Sequence, residues 1–186
     1  MLQPAHIGHL AMLRALIRDG ARDGSFRPEL AWDSALSERF FGELRQALKS
    51  GYFVVKDRDT GTLETVAVPG YVYWADETAG SEPPVGFGLF RAAPGGGYEL
   101  WLAGLEAAMR GKGHGRAMLK ALFDTPTGLQ TRFMRVRREG RHALAVAKVL
   151  AEHDFTPTRE TRHETWFVRS LSVSRPPPPS LRTPDH

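Results

Sequence analysis

The segment "AMRGKGHGRAML", residues 108–119, sets three glycines at alternate positions, Gly111, Gly113 and Gly115, among basic residues and directly ahead of an apolar run. Glycine lets neighbouring backbone N–H groups converge with no Cβ in the way, and a helix opening directly afterwards adds unpaired amides and the positive end of its dipole. The segment therefore reads as a seat for an anion, phosphate above all. Two familiar phosphate motifs do not fit it. The Walker pattern fails because Lys112 is followed by Gly113 and no glycine lies at the required upstream position. A dinucleotide fingerprint needs glycine where Arg116 stands and a βαβ unit around it, which the flanking pattern does not supply.

Outward from the segment, "YELWLAGL" (98–105) reads as a strand before it and the run with Met118, Leu119, Leu122 and Phe123 as a helix after it. Further downstream come a strand "RFMRVR" (132–137), a helix over about 141–153 and a closing strand pair around "DFTPT" and "ETWFVRSL". Upstream, Ile7, Leu10, Leu13 and Ile17 recur at helical spacing and stop before "RDGARDG", which reads as a frayed end and loop. Leu36, Phe40, Leu44 and Leu48 mark a second helix, with Asp33 or Ser34 as N-cap and Gly51 past its end. Between these helices and the glycines lie "YFVV", "TVAV", "YVYW" and "VGFGLF", separated by turn residues, which predict an antiparallel meander. The order α-α-β-meander-α-β-α-β-β predicts an α/β fold: a mixed, largely antiparallel sheet with helices on both faces.

Composition narrows the function classes. With 41% apolar and 25% charged residues in 186, the chain has the make-up of a globular protein, and residues 1–171 are expected to form one domain. Residues 172–186 include four consecutive prolines and little to bury, and are expected to form a disordered Pro-rich tail. The absence of cysteine excludes disulfides, thiolate metal sites and a cysteine nucleophile. No run is long and apolar enough for a membrane span or a signal segment, so no membrane partner and a cytoplasmic location are expected. A net charge of +4 and a pI near 9.7 favour anionic ligands. His6 and His9 have the spacing of a metal-ligand pair but no evident third ligand, so no metal site is expected.

Arg110, Gly113 and Gly115 match the pattern [Q/R]-x-x-G-x-[G/A], between a strand and a helix. In this context the segment resembles the acyl-CoA-binding motif of the GNAT superfamily of N-acetyltransferases, and the element order over about residues 5–171 resembles that family's order. The resemblance implies acetyl-CoA as co-substrate and transfer of its acetyl group to a primary amine by direct attack. It implies that amides from Arg110 through Gly111, Lys112, Gly113, His114 and Gly115 bind the pyrophosphate and that Arg116 adds charge. The backbone of Leu105 and Ala107 would pair with the pantetheine arm, and an amide near Leu105 would polarise the thioester carbonyl. The strand "YELWLAGL" would splay from "RFMRVR" to admit the thioester.

An attacking amine must first lose a proton. Glu99, eleven residues before Arg110, stands at the offset of the catalytic glutamate in the histone-acetylating branch of the family, and partial burial beside Tyr98, Leu100 and Trp101 would suit it to general-base work. Glu106, seven residues on, would face the opposite way unless a bulge intervenes. The family's proton-donating tyrosine on the last helix aligns with Leu150, and a common asparagine near that helix's start with Ala143; His142 and His153 flank the same helix.

The acceptor site of such a fold would be framed by "RDGARDGSFRPEL" and "TPTRETRHETW", both Arg-rich and each carrying an aromatic, Phe26 and Trp166. Such a frame suits an acidic peptide, a phosphorylated small molecule or an RNA. The insertion "TVAVPGYVYWADETAGSEPP" either covers the acceptor groove or belongs to a homodimer interface. Two other readings stay open. One is a toxin acetylating aminoacyl-tRNA, suggested by Arg132, Arg135, Arg137, Arg138 and Arg141 but not favoured without a dense basic patch interleaved with aromatics. The other is a non-catalytic acyl-CoA-binding module.

Overall fold

The computed structural model describes residues 1–56, 63–75, 83–93 and 96–170. The predicted tail and parts of the insertion lie outside these residues. Two helices come first, α1 (Leu10–Arg22) and α2 (Ala35–Ser50), and both follow amphipathic patterns. The Ser34 side chain accepts the N–H of Ser37 to open α2, and Gly51 closes it in the left-handed conformation at φ 79°, as the sequence predicts. The first helix runs further than predicted, through "RDGAR". Its Gly20 leaves the space that the Phe26 ring fills, since a Cβ there would stand 2.5 Å from that ring. That glycine is a packing device and not a stop.

The main sheet has seven strands in the order β1-β4-β5-β6-β7-β9-β8: β1 (Leu2–Pro4), β4 (Gly70–Tyr73), β5 (Gly86–Ala92), β6 (Tyr98–Leu105), β7 (Thr131–Arg137), β9 (Glu164–Arg169) and β8 (Phe155–Glu160). All neighbours are antiparallel except β6 and β7, which are parallel. Between β6 and β7 the chain forms α3 (His114–Phe123) and a short turn of helix, α4 (Pro126–Leu129), which Thr125 caps; α5 (Ala143–Ala151) precedes β8.

Two features depart from the predicted meander. The strand β1 pairs with β4. Strands β2 (Tyr52–Lys56) and β3 (Leu63–Ala67) pair only with each other, as a separate hairpin. Pro69 is the physical reason for the break: it has no N–H to continue a ladder, and its carbonyl instead accepts the Phe90 amide at 2.8 Å, so pairing changes partner between β3 and β4.

Each face of the sheet carries its own core. On one side Leu13, Ile17, Phe41 and Leu44 of α1 and α2 pack with Phe87 and Leu89. On the other Met118, Leu122, Phe123 and Leu150 of α3 and α5 pack with Phe90, Leu100 and Met134.

Candidate functional site

The pairing of β6 with β7 stops at Leu100 and Met134, although both strands continue, β6 to Leu105 and β7 to Arg137. Beyond that point the strands part. A bulge sits in the same stretch: Leu89 and Phe90 of β5 pair with Leu102 and Leu100, so Trp101 has no direct partner. The Trp101 ring packs on Phe40 at 5.7 Å and Phe53 at 5.2 Å, which brings α2 and the β2–β3 hairpin to the mouth of the opening.

The opening is a cleft of about 630 Å³ that crosses the sheet. One end is lined by Leu105, Gly111, Gly113, Gly115, Arg116 and residues of α5; the other by Phe26, Arg27, Phe40, Arg91, Trp101, Arg135 and Arg137. At the first end Gly111 and Gly113 both take positive φ, 75° and 88°, and Gly113 is the N-cap of α3. Both glycines face open space where a Cβ would point. Among the described residues, the amides of Gly111, Lys112 and Gly113 have no backbone carbonyl partner, and those of His114, Gly115 and Arg116 lie in the first turn of α3, where none is available within the helix. Six consecutive N–H groups are thus presented together.

Arg110 does not belong to that row. Its amide turns back to the Ala107 carbonyl at 3.2 Å. Its side chain donates from Nε to the Leu105 carbonyl at 3.0 Å and from Nη1 to Asp23 at 2.6 Å. The expectation that the Arg110 amide binds an anion is therefore corrected: Arg110 ties the loop to the end of α1. Burial alone would raise the Asp23 carboxyl, but the side chain and amide of Ser25 and the Arg110 guanidinium hold it below the ordinary carboxylate value. Glu106 donates its amide to Val85 at 2.8 Å, so strand alternation turns the Leu105 N–H the other way, into the opening toward β7. The Arg116 side chain is exposed and pairs with Glu152 at 2.9 Å. The side chains of Lys112 and His114 reach no partner among the described residues.

Glu99 is buried, but not in the apolar surroundings expected of a base. Its Oε2 accepts from Arg91 Nε at 2.7 Å and Nη2 at 2.6 Å, and its Oε1 accepts from Arg135 Nε at 2.7 Å. Both oxygens are engaged, and it is the two arginines, not Glu99, that line the cleft. The alternation of strand residues shows Glu99 inside the sheet, but nothing in its neighbourhood of sequence reveals an arginine 36 residues later. Glu106 lies past the end of β6 and is exposed.

On α5 the cleft meets His142, Ala143, Ala145, Val146 and Val149. Leu150, expected at the position of the family's tyrosine, is instead fully buried against Phe155 and the sheet, one residue round the helix. His142 is the N-cap residue of α5, and its Nε2 is buried without a hydrogen-bond partner. His153 packs on Phe123 at 4.9 Å and does not line the cleft. Glu164, at the start of β9 opposite Arg137, also lines the cleft; it is half-buried, and its carboxylate has no ion-pair or hydrogen-bond partner among the described residues. In the sequence Glu164 is masked by the Arg-rich segment around it; its position first in the "ETWF" alternation is the one local signal that sets it apart.

His6 and His9 sit outside the cleft and cap each other's turn, His6 Nδ1 accepting the Gly8 amide at 3.1 Å and His9 Nδ1 the His6 amide at 3.2 Å. Among the described residues no three His, Asp or Glu side chains converge as a metal site, and no helix is long and apolar enough to cross a membrane.

By sequence, no family model and no curated protein matches the chain. By structure it is similar to a crystal structure of a candidate phosphinothricin N-acetyltransferase, at a TM-score of 0.62 and 16% identity over 92% of this chain and 98% of that one. It is also similar to a candidate acetyltransferase from Salmonella typhimurium with acetyl-CoA, at a TM-score of 0.59 and 17% identity over 96% and 98% of the two chains. A third is a candidate GNAT-family acetyltransferase from Desulfovibrio desulfuricans, at 0.56 and 14% identity over 92% and 99%. The chain has the fold of the GNAT acetyltransferases.

Proposed function

We propose that the protein is an acetyl-CoA-dependent N-acetyltransferase that acylates a primary amine by direct attack. The observation that carries this reading is the meeting, in one cleft, of the parted β6 and β7 edges with six unpartnered amides at the start of α3. A pyrophosphate fits those amides: they converge from glycines with open space above them, and the helix dipole adds to them. Arg116, Lys112 and His114 stand at the rim and add positive charge or donors. The N–H groups of Leu105 and Ala107 serve the pantetheine arm, and a β6 amide at the bulge meets the acyl carbonyl, where developing negative charge is stabilised. Acetyl-CoA supplies an acyl group activated as a thioester.

The chain's own residues handle the protons. Glu164, a carboxylate with unoccupied oxygens on the cleft wall, takes the proton of the incoming ammonium, directly or through water. His142, whose Nε2 lacks a partner, is placed on the α5 side to return a proton to the leaving sulfur. Calorimetric titration with acetyl-CoA tests the reading: wild type binds, Gly113→Asp does not, and wild type releases CoA only when an amine is present. Equal affinity in the two proteins would remove its basis.

A further inference from the structure

We infer that the acceptor amine carries an oxyanion, a carboxylate or phosphoryl group, held by Arg91 and Arg135, and that Glu99 is the positioning residue that aims these two arginines. The inference rests on the acetyltransferase reading above and names the substrate class of the same site.

Glu99 is 7% exposed, and an isolated carboxylate so deeply placed is costly. One arginine would neutralise it, yet two bind it, from β5 and β7, leaving an excess positive charge where both side chains face the cleft. Arg135 uses only its Nε on Glu99, so both of its terminal amino groups keep donors to spare. Each guanidinium is also held by an aromatic ring, Arg91 at 5.8 Å from Trp101 and Arg135 at 5.1 Å from Trp166. The arginines are therefore fixed in direction before any ligand arrives, which lowers the ordering cost of binding a planar or tetrahedral oxyanion with paired N–H donors.

Two neighbours strengthen the case. Arg137 lies two residues along β7 on the same face; its Nη2 pairs with Glu139 at 2.7 Å, while its Nε is buried with no partner, a donor that a ligand oxygen would satisfy. Arg27 lines the same end of the cleft with no ion-pair partner among the described residues. Two acidic side chains line the cleft: Asp23 is paired with Arg110, and Glu164 alone of the two has no partner among the described residues. An amine at Glu164 and an oxyanion at Arg91 and Arg135 match a substrate with opposite charges at its two ends. A cleft of about 630 Å³, shared with the acyl donor, sets that substrate as a small molecule.

The test compares matched amines: 4-aminobutanoate and 3-aminopropylphosphonate against butylamine, and phenylalanine against phenylalanine amide and phenethylamine, with CoA release as the signal. Anionic members are expected to have kcat/KM about 10- to 100-fold above the neutral ones, the weight of one or two charge-assisted hydrogen bonds. Arg135→Met, which leaves Glu99 paired to Arg91, should erase that preference while the acetyl-CoA Kd stays at its wild-type value; Arg135→Lys, which keeps the charge, should retain part of it and serves if the Met variant does not fold. Glu99→Gln should raise KM for the anionic amines about 10-fold with kcat nearly unchanged. Equal turnover of neutral and anionic amines, no turnover of any anionic member, or a 100-fold fall in kcat for every amine in Glu99→Gln each overturns the inference. Failure to bind acetyl-CoA at all overturns instead the reading on which it rests.

Discussion

Arg110 and Asp23, 87 residues apart, meet at 2.6 Å and join the loop that opens α3 to the end of α1. Because Arg110 also holds the Leu105 carbonyl, this one pair sets the spacing between the two helices that flank the cleft and the strand that runs through it. Both side chains are largely buried, at 22% and 14% exposed.

Asp23→Asn should therefore lower stability by about 1–3 kcal/mol and weaken acetyl-CoA binding. The pH dependence has a definite sign. The folded Asp23 carboxyl lies below its ordinary value of 3.8, so its contribution is present above that pH and disappears as pH falls through the lower folded value. Thermal melts of the two proteins should differ at pH 6 and converge in the acid range below pH 3.8. A constant difference down to the lowest pH would show that the charge of Asp23 is not what stabilises.

At the amide row, Gly111→Ala places a Cβ on a residue with φ 75°, a conformation that costs an L-residue roughly 1–2 kcal/mol. The loop should relax and the acetyl-CoA Kd rise about 10-fold, with a smaller effect on the melting temperature. Gly113→Asp adds a negative charge at the proposed pyrophosphate seat and should take binding below detection. Calorimetry on both variants gives the order; a tighter Gly113→Asp complex would contradict the placement of the pyrophosphate.

Glu164→Gln should lower kcat about 100-fold for any accepted amine and leave acetyl-CoA affinity unchanged, since the cofactor end of the cleft does not include it. His142→Ala should cost less, because a thiolate leaves tolerably without a proton. A kcat for Glu164→Gln equal to the wild-type value would assign the proton transfer to another group.

Two glycines test the packing. Gly42 lies on the exposed side of α2, where an added Cβ would have nothing within 4 Å of it, so Gly42→Ala should stabilise the protein by about 0.5–1 kcal/mol. At Gly128, in α4, a Cβ would stand 1.9 Å from the Leu122 carbonyl oxygen, which is backbone and cannot move aside, so Gly128→Ala should lower the melting temperature sharply. Melting curves that ranked the two the other way would contradict the close packing of α4 on the end of α3.

What the sequence determined by itself was local. The glycine spacing ahead of an apolar run specifies a row of free amides at the start of α3, because amide convergence and a helix start need only residues 111–119. Ser34 and Gly51 delimit α2 through bonds to residues three or four away. The "YELWLAGL" run is the strand β6 to the residue, because its apolar content and the glycines that precede it lie within one window. The tertiary structure decided what depends on distant partners. The offset of Glu99 from Arg110 and its strand neighbours suggest a base, but its carboxylate meets Arg91 and Arg135 from two other strands. The strand β3 left the main sheet at Pro69, a choice made by which edge was open. Leu150 and Val149 could not be told apart by periodicity, since "ALAVAKVLA" is apolar nearly all round: one side packs on the core and the other lines the cleft, and only the packing of α5 on the sheet selects which. A side chain's type and period say that it will be buried; which charge or cavity it meets there is set by the register of strands far away in sequence.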